Sequence, residues 1–195
     1  ALNQQHLVGF NVTIPYKETI LPFLDQIDPT ARLAGAVNTV IVQNRKLIGY
    51  NTDVIGFQST LPALPNPNKT ALILGTGGAS KAVALVFKQA GVAVLFVSRE
   101  RRNSNTIGYA DITLSLMQSV EYIVNTTPLG TSPNEDTAPP FPFELLSSEH
   151  ICYDLVYNPA ETLFMRQAKQ NGARVCNGLK MLQSQAEAAW QIWNN

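Results

Sequence analysis

With 195 residues, 45% of them hydrophobic and 14% charged, the chain can bury a core in one large domain or two small ones. Its 14 Lys and Arg balance 14 Asp and Glu. This excludes a general polyanion or anionic-membrane binder, so the expected partner is a small molecule, with no nucleic acid and no membrane.

Cys152 and Cys176 lie in apolar, strand-like runs without metal-type spacing, and are expected as buried, reduced thiols of a cytoplasmic protein. His6 and His150 stand alone and are expected at the surface or at strand ends rather than as ligands. The chain opens on Ala1 and enters a strand almost at once, so a further segment is expected in front of it.

The first predicted element is a strand over about 7–14, in which Phe10, Val12 and Ile14 alternate with Asn11 and Thr13. A helix is expected over about 16–26, then a shorter one opened by Asp28 as N-cap and Pro29 at the first helical position. Two β runs flank Gln43-Asn44-Arg45, which reads as a hairpin turn. The stretch LPALPNPNK (61–69) breaks regular structure with three prolines and marks a domain boundary.

From Thr70 onward, short apolar runs alternate with helical periodicity. TALILG (70–75), VAVLFVSR (92–99), VEYIVNTT (120–127) and HICYDLVY (150–157) read as strands, and 78–90 as a helix. That alternation predicts a parallel sheet covered on both faces. An amphipathic helix over about Leu179–Trp193 closes the chain.

Chemistry concentrates at three places. LILGTGGAS puts Gly75, Gly77 and Ser80 in a G-x-G-x-x-S register between strand and helix. This suits a pyrophosphate, because the loop backbone comes close and the helix start offers free N–H groups. The second strand then ends in Ser98-Arg99-Glu100-Arg101-Arg102. Ser98 stands where an acid would hold a ribose 2′-hydroxyl, and Arg99 suits a 2′-phosphate, which favours NADP over NAD; Glu100 keeps NAD open. Finally, Lys17, Asn38 and Asp53 bring an ammonium, an amide and a carboxylate together ahead of this half, a set that could bind hydroxyls and move a proton.

The segments GFNVTIPYKE, GAVNTV, GYNTD, LILGTGGASKA, IVNTTPLG, YDLVYNP and NGLKMLQSQA occur in that order. Together they closely resemble the shikimate dehydrogenases of aromatic biosynthesis, from Gly9 to the C-terminus, in a compact version. The resemblance implies an α/β fold, with a Rossmann-type NAD(P)-binding domain (54–176) and a smaller α/β substrate domain (1–53 and 177–195) closed by the C-terminal helix. It implies Lys17 and Asp53 as the catalytic pair. Thr13, Asn38, Asp53, Tyr157 and Gln185 would hold substrate. Gly75, Thr76, Gly77, Gly78, Ala79, Ser80, Ser98, Arg99, Asn125, Thr126, Thr127, Pro128, Leu155 and Gly178 would hold the cofactor. The implied reaction is NADPH-dependent reduction of 3-dehydroshikimate to shikimate by a cytoplasmic monomer or homodimer, without a metal.

Three departures from the family pattern stand out. The usual NRT reads SRE here, Thr131 replaces the usual Met after PLG, and nothing before Gly9 matches the family's Ser-x-Ser motif for the substrate carboxylate. The alternatives are an NAD-using quinate/shikimate dehydrogenase and a non-catalytic nucleotide-binding remnant.

Overall fold

The computed structural model describes residues 7–100 and 104–194. His6, Arg101 and Arg102 lie outside the described residues. Two sheets organise the chain.

The first sheet contains β1 (Gly9–Asn11), β2 (Gln26–Ile27), β3 (Thr39–Gln43) and β4 (Lys46–Tyr50), in the order β1-β3-β4-β2. β3 and β4 form the expected hairpin. Its turn residues, Asn44 and Arg45, take φ of 53° and 61°, the double left-handed geometry that matches the strands' twist. Asp28 caps α1 (Pro29–Ala34) by accepting from the Thr30 amide at 2.8 Å, as its sequence predicts.

The strand expected over about 7–14 is shorter in the structure, and the helix expected over about 16–26 does not form. β1 ends at Asn11, although the Val12 amide still reaches the Asn38 carbonyl at 2.8 Å. No α-helix follows it. Turns lead to a single 3₁₀ turn at Leu21–Phe23, and the chain is extended again by Gln26. Pro15 and Pro22 lack amide donors, and Asp25 fixes the exit by accepting from the Leu47 amide at 2.8 Å.

α2 (Thr52–Ser59) leads into the second sheet, which contains β5 (Thr70–Leu74), β6 (Ala93–Val97), β7 (Thr106–Ile107), β8 (Val120–Asn125), β9 (Ile151–Asp154) and β10 (Arg174–Cys176). All pairings are parallel, in the order β10-β9-β8-β5-β6-β7. α3 (Gly78–Gln89), α4 (Leu114–Ser119) and α5 (Leu163–Gln170) form the crossovers, and α6 (Leu179–Asn194) ends the chain. The 61–69 stretch is irregular, as its prolines require.

Leu72, Ile73, Leu74, Ile123 and Val124 are fully buried, and their side chains divide between two apolar clusters. The apolar runs in the sequence thus correspond to strands covered on both faces. Phe57 of α2 inserts into the first cluster, 5.6 Å from Phe87 and 5.2 Å from Tyr153 between ring centres. Cys152 is buried and Cys176 half-buried, both as free thiols. His150, just before β9, is buried, with ring nitrogens near the Met117 carbonyl and Ser147. Among the described residues, no helix is long and apolar enough to cross a membrane.

α6 returns to the first sheet and packs along α2. A Cβ built on Gly56 would come within 2.8 Å of the Met181 carbonyl and 3.0 Å of Gln185 Cβ, so this approach needs glycine. Further along α6, Trp193 donates its indole N–H to the Val40 carbonyl at 3.0 Å.

Candidate active site

Asn51 caps α2, accepting from the Val54 amide at 3.2 Å and donating to the Ala36 carbonyl at 2.8 Å. This sets Thr52 and Asp53 in the first turn, both buried. Lys17 is held from the other side, where its carbonyl accepts from the Val37 amide at 2.8 Å. Lys17 Nζ then donates to Asp53 Oδ2 at 2.7 Å.

Asp53 Oδ1 accepts from Asn38 Nδ2 at 2.9 Å, while Asn38 Oδ1 accepts from the Thr52 amide at 2.7 Å. Gln185 Oε1 of α6 closes the group, 3.4 Å from Asn38 Nδ2 and 3.3 Å from the Thr52 hydroxyl. The Asp53 carboxylate is therefore anchored on both oxygens. The Lys17 side chain is 14% exposed, so its ammonium keeps donor directions toward solvent-accessible space.

That space is a cavity of about 720 Å³. Of the expected substrate residues, Thr13, Asn38, Asp53, Tyr157 and Gln185 all line it, with Lys17. Leu155 and Gly178, expected with the cofactor, also line this cavity rather than its neighbour. The sequence reading missed Asn11, Ser132 and Asn158 as further polar lining, and Thr131, noted there as a departure from the family pattern, lines the cavity with them. The period-2 alternation around Asn11 could have shown that it faces away from the core.

A second cavity, of about 520 Å³, lies over the carboxyl ends of β5, β6 and β8. The sheet order reverses there, since β5 sends its connection to β6 on one side and pairs with β8 on the other. Such a switch point is where open α/β sheets bind nucleotides. Gly75–Ala79, Ser98, Arg99, Thr126, Thr127 and Pro128 line it as expected. Gly75 turns with φ +106°. A Cβ added at Gly77 would meet no protein atom within 4 Å, so the loop leaves free room. The α3 N-terminus receives no side-chain cap; the Ser80 amide bonds the Gly77 carbonyl at 3.1 Å, and the amides ahead of it at the helix start suit an anion. The residues thus fit a dinucleotide.

Two expected cofactor residues lie behind this wall. Ser80 is fully buried, and its hydroxyl donates to the Gly77 carbonyl at 2.6 Å. Asn125 is also fully buried and bonds within the fold. Tyr109 and Ile14 line the cavity without having been foreseen. Burial pushes the Tyr109 phenol up, and the nearby Arg99 charge opposes that shift.

Ile14, Lys17, Ala79, Thr126, Thr127 and Pro128 line both cavities, so Lys17 stands where they meet. A glycine-loop cradle sharing a wall with a lysine–carboxylate cavity defines a two-site α/β oxidoreductase.

A family profile described as the shikimate dehydrogenase substrate binding domain matches residues 1–40. The chain is 38% identical to the NADP(+) shikimate dehydrogenase of Desulforamulus reducens, over 96% of its own length and 72% of the relative's. The shikimate dehydrogenase of Thermus thermophilus, solved with NADP(H) and shikimate, superposes with a TM-score of 0.83 at 35% identity, covering 97% of this chain and 74% of that one. A ligand-free 5-ketofructose reductase of Gluconobacter superposes at 0.78 with 32% identity, over 95% and 73% of the two chains. The chain belongs to the shikimate dehydrogenase family.

Proposed function

We propose that this chain interconverts 3-dehydroshikimate and shikimate with NADP, reducing the ring ketone in aromatic biosynthesis. The observation that carries this is Lys17 standing on the common wall of the two cavities while bonded to Asp53 at 2.7 Å. When bound in the cradle, the reduced nicotinamide supplies a hydride to the ketone carbon.

The chain's own residues manage the proton and the orientation. Lys17 hands a proton to the carbonyl oxygen, and Asp53 holds the ammonium in place and balances its charge. Asn38 and Gln185, fixed against Thr52, present amide groups to substrate hydroxyls, and Thr13 and Tyr157 add hydroxyls from the facing walls. Arg99 faces the cofactor cavity and suits a 2′-phosphate, whereas Glu100 is not among the cavity's lining residues. This supports NADP over NAD.

In this reading, residues 1–53 and 177–195 form the substrate unit and 54–176 the cofactor unit. The zero net charge supports a small molecule rather than nucleic acid or a membrane as partner. Two free thiols fit a cytoplasmic protein, and a monomer or homodimer is what the family resemblance implies.

The test is nicotinamide absorbance on mixing protein, shikimate and NADP at alkaline pH, with NAD, quinate and 5-ketofructose in parallel reactions. Reduction of NADP by shikimate alone is the expected result. Turnover of quinate with NAD would favour the NAD-using relative, and turnover confined to 5-ketofructose would favour a sugar reductase. Tight NADP binding with no turnover would mark a binding remnant.

A further inference from the structure

Behind the wall common to both cavities runs a buried polar chain that the reaction above leaves unused. Asp154, at the end of β9, has no exposure. Its carboxylate accepts from Asn125 Nδ2 at 2.9 Å, the Val156 amide at 3.0 Å and the Thr162 hydroxyl at 2.6 Å. Asn125 sits beside it at the end of β8, in paired register. Asn125 Oδ1 accepts from the Thr127 amide at 3.0 Å and from the Thr127 hydroxyl at 2.7 Å. Thr127 lines both cavities.

Donor and acceptor chemistry gives this chain a direction. A carboxylate only accepts and a backbone amide only donates. Asn125 must therefore turn its NH₂ to Asp154 and its oxygen to Thr127. The reverse orientation would set oxygen against oxygen at one end and N–H against N–H at the other. Thr127 then spends its single hydroxyl proton on Asn125. One lone pair of its oxygen faces the Leu129 amide at 3.3 Å, and the other remains.

We propose that Asp154 is a positioning residue that acts through Asn125 to fix the Thr127 hydroxyl as a hydrogen-bond acceptor where the two cavities meet, facing a donor on the nicotinamide riboside end of the nucleotide. That donor is the carboxamide NH₂ or a ribose hydroxyl. This inference rests on reading the 520 Å³ cavity as a nucleotide site.

Calorimetric NADP affinity tests it, with thermal unfolding as a check on the fold. Thr127→Val weakens binding by roughly 3- to 10-fold, the usual effect of one neutral hydrogen bond. Asp154→Ala weakens it by a comparable factor, and Asp154→Asn, which keeps an oxygen toward Asn125 and Val156, recovers most of the loss. The double variant Asp154→Ala/Thr127→Val falls within about twofold of the weaker single one, because both remove the same bond. The 3-acetylpyridine analogue of NADP lacks the amide donor. If Thr127→Val affects NADP alone, the carboxamide is the donor; if it affects both nucleotides equally, a ribose hydroxyl is. If Asp154→Ala does not fold, Asn125→Ala replaces it in the same cycle.

Losses that multiply in the double variant, or a folded Asp154→Ala that binds like wild type, overturn the relay and leave the proposed function standing. A wild-type protein that binds no nicotinamide nucleotide overturns both.

Discussion

Lys17 and Asp53 are 36 positions apart, one in a turn after a short strand and the other in the first turn of a helix, yet their side chains meet at 2.7 Å. Removing either end of this pair disables proton transfer. Lys17→Ala and Asp53→Asn should each lower kcat by about 10²- to 10⁴-fold, and the double variant should be little worse than the weaker single one. NADP affinity should stay near wild type. Steady-state shikimate oxidation with parallel calorimetry checks this, and a variant retaining more than a tenth of the activity would remove that residue from the role.

Arg99 tests cofactor choice. Arg99→Ala should raise the KM for NADP by about 10- to 100-fold, the usual effect of a charge-assisted hydrogen bond, and should change the KM for NAD little. Equal effects on both cofactors would mean that Arg99 does not read the 2′-phosphate.

Gly56 tests the seating of α6. Gly56→Ala improves helix propensity in isolation, but the added methyl meets the Met181 carbonyl and Gln185. Net destabilisation of about 1–3 kcal/mol is expected, with a raised shikimate KM as Gln185 moves off Asn38 and Thr52. A stabilised variant with unchanged KM would show that α6 has slack. Urea unfolding and kinetics supply both readouts.

Asp154 predicts an unusual pH response. Burial pushes its carboxyl up to about 6 from 3.8, while bonds from Thr162, Val156 and Asn125 act in the opposite direction. A carboxyl raised in the folded state binds its proton more tightly there than in the unfolded chain. Its contribution therefore favours folding at low pH and is lost as pH rises through about 4 to 6, by up to about 3 kcal/mol. The wild type should lose stability relative to Asp154→Asn across that window and run parallel to it above. Unfolding midpoints at a series of pH values decide the point, and parallel curves throughout would refute it.

The strands from Thr70 onward were legible because strands buried on both faces read as bare apolar runs, and α3 because its apolar positions recur every three or four residues. The first part was harder to read. Its turn-rich stretch around Pro15 and Pro22 has apolar spacing that suggests a helix, but the prolines and Asp25 override it. The period of α2 was hidden because polarity does not follow burial along it: Thr52 and Asp53 are buried while Ile55 is exposed. Motif register located the glycine loop and the 125–130 segment, yet it could not show that Ser80 and Asn125 turn inward. Ile14 and Tyr109 reach the cofactor cavity only through tertiary packing, which no local pattern encodes.

The partnership of α6 with the first sheet affects how the protein is made. Asn38 waits for Gln185, 147 residues later, and Val40 waits for Trp193, 153 residues later. On a translating ribosome, the β5–β9 core can assemble while the substrate cavity still lacks one wall. The site that distinguishes this enzyme from a bare nucleotide binder is thus closed by late, long-range contacts, which are entropically costly to form. A nascent chain stalled before α6 would be expected to bind nucleotide and turn over nothing.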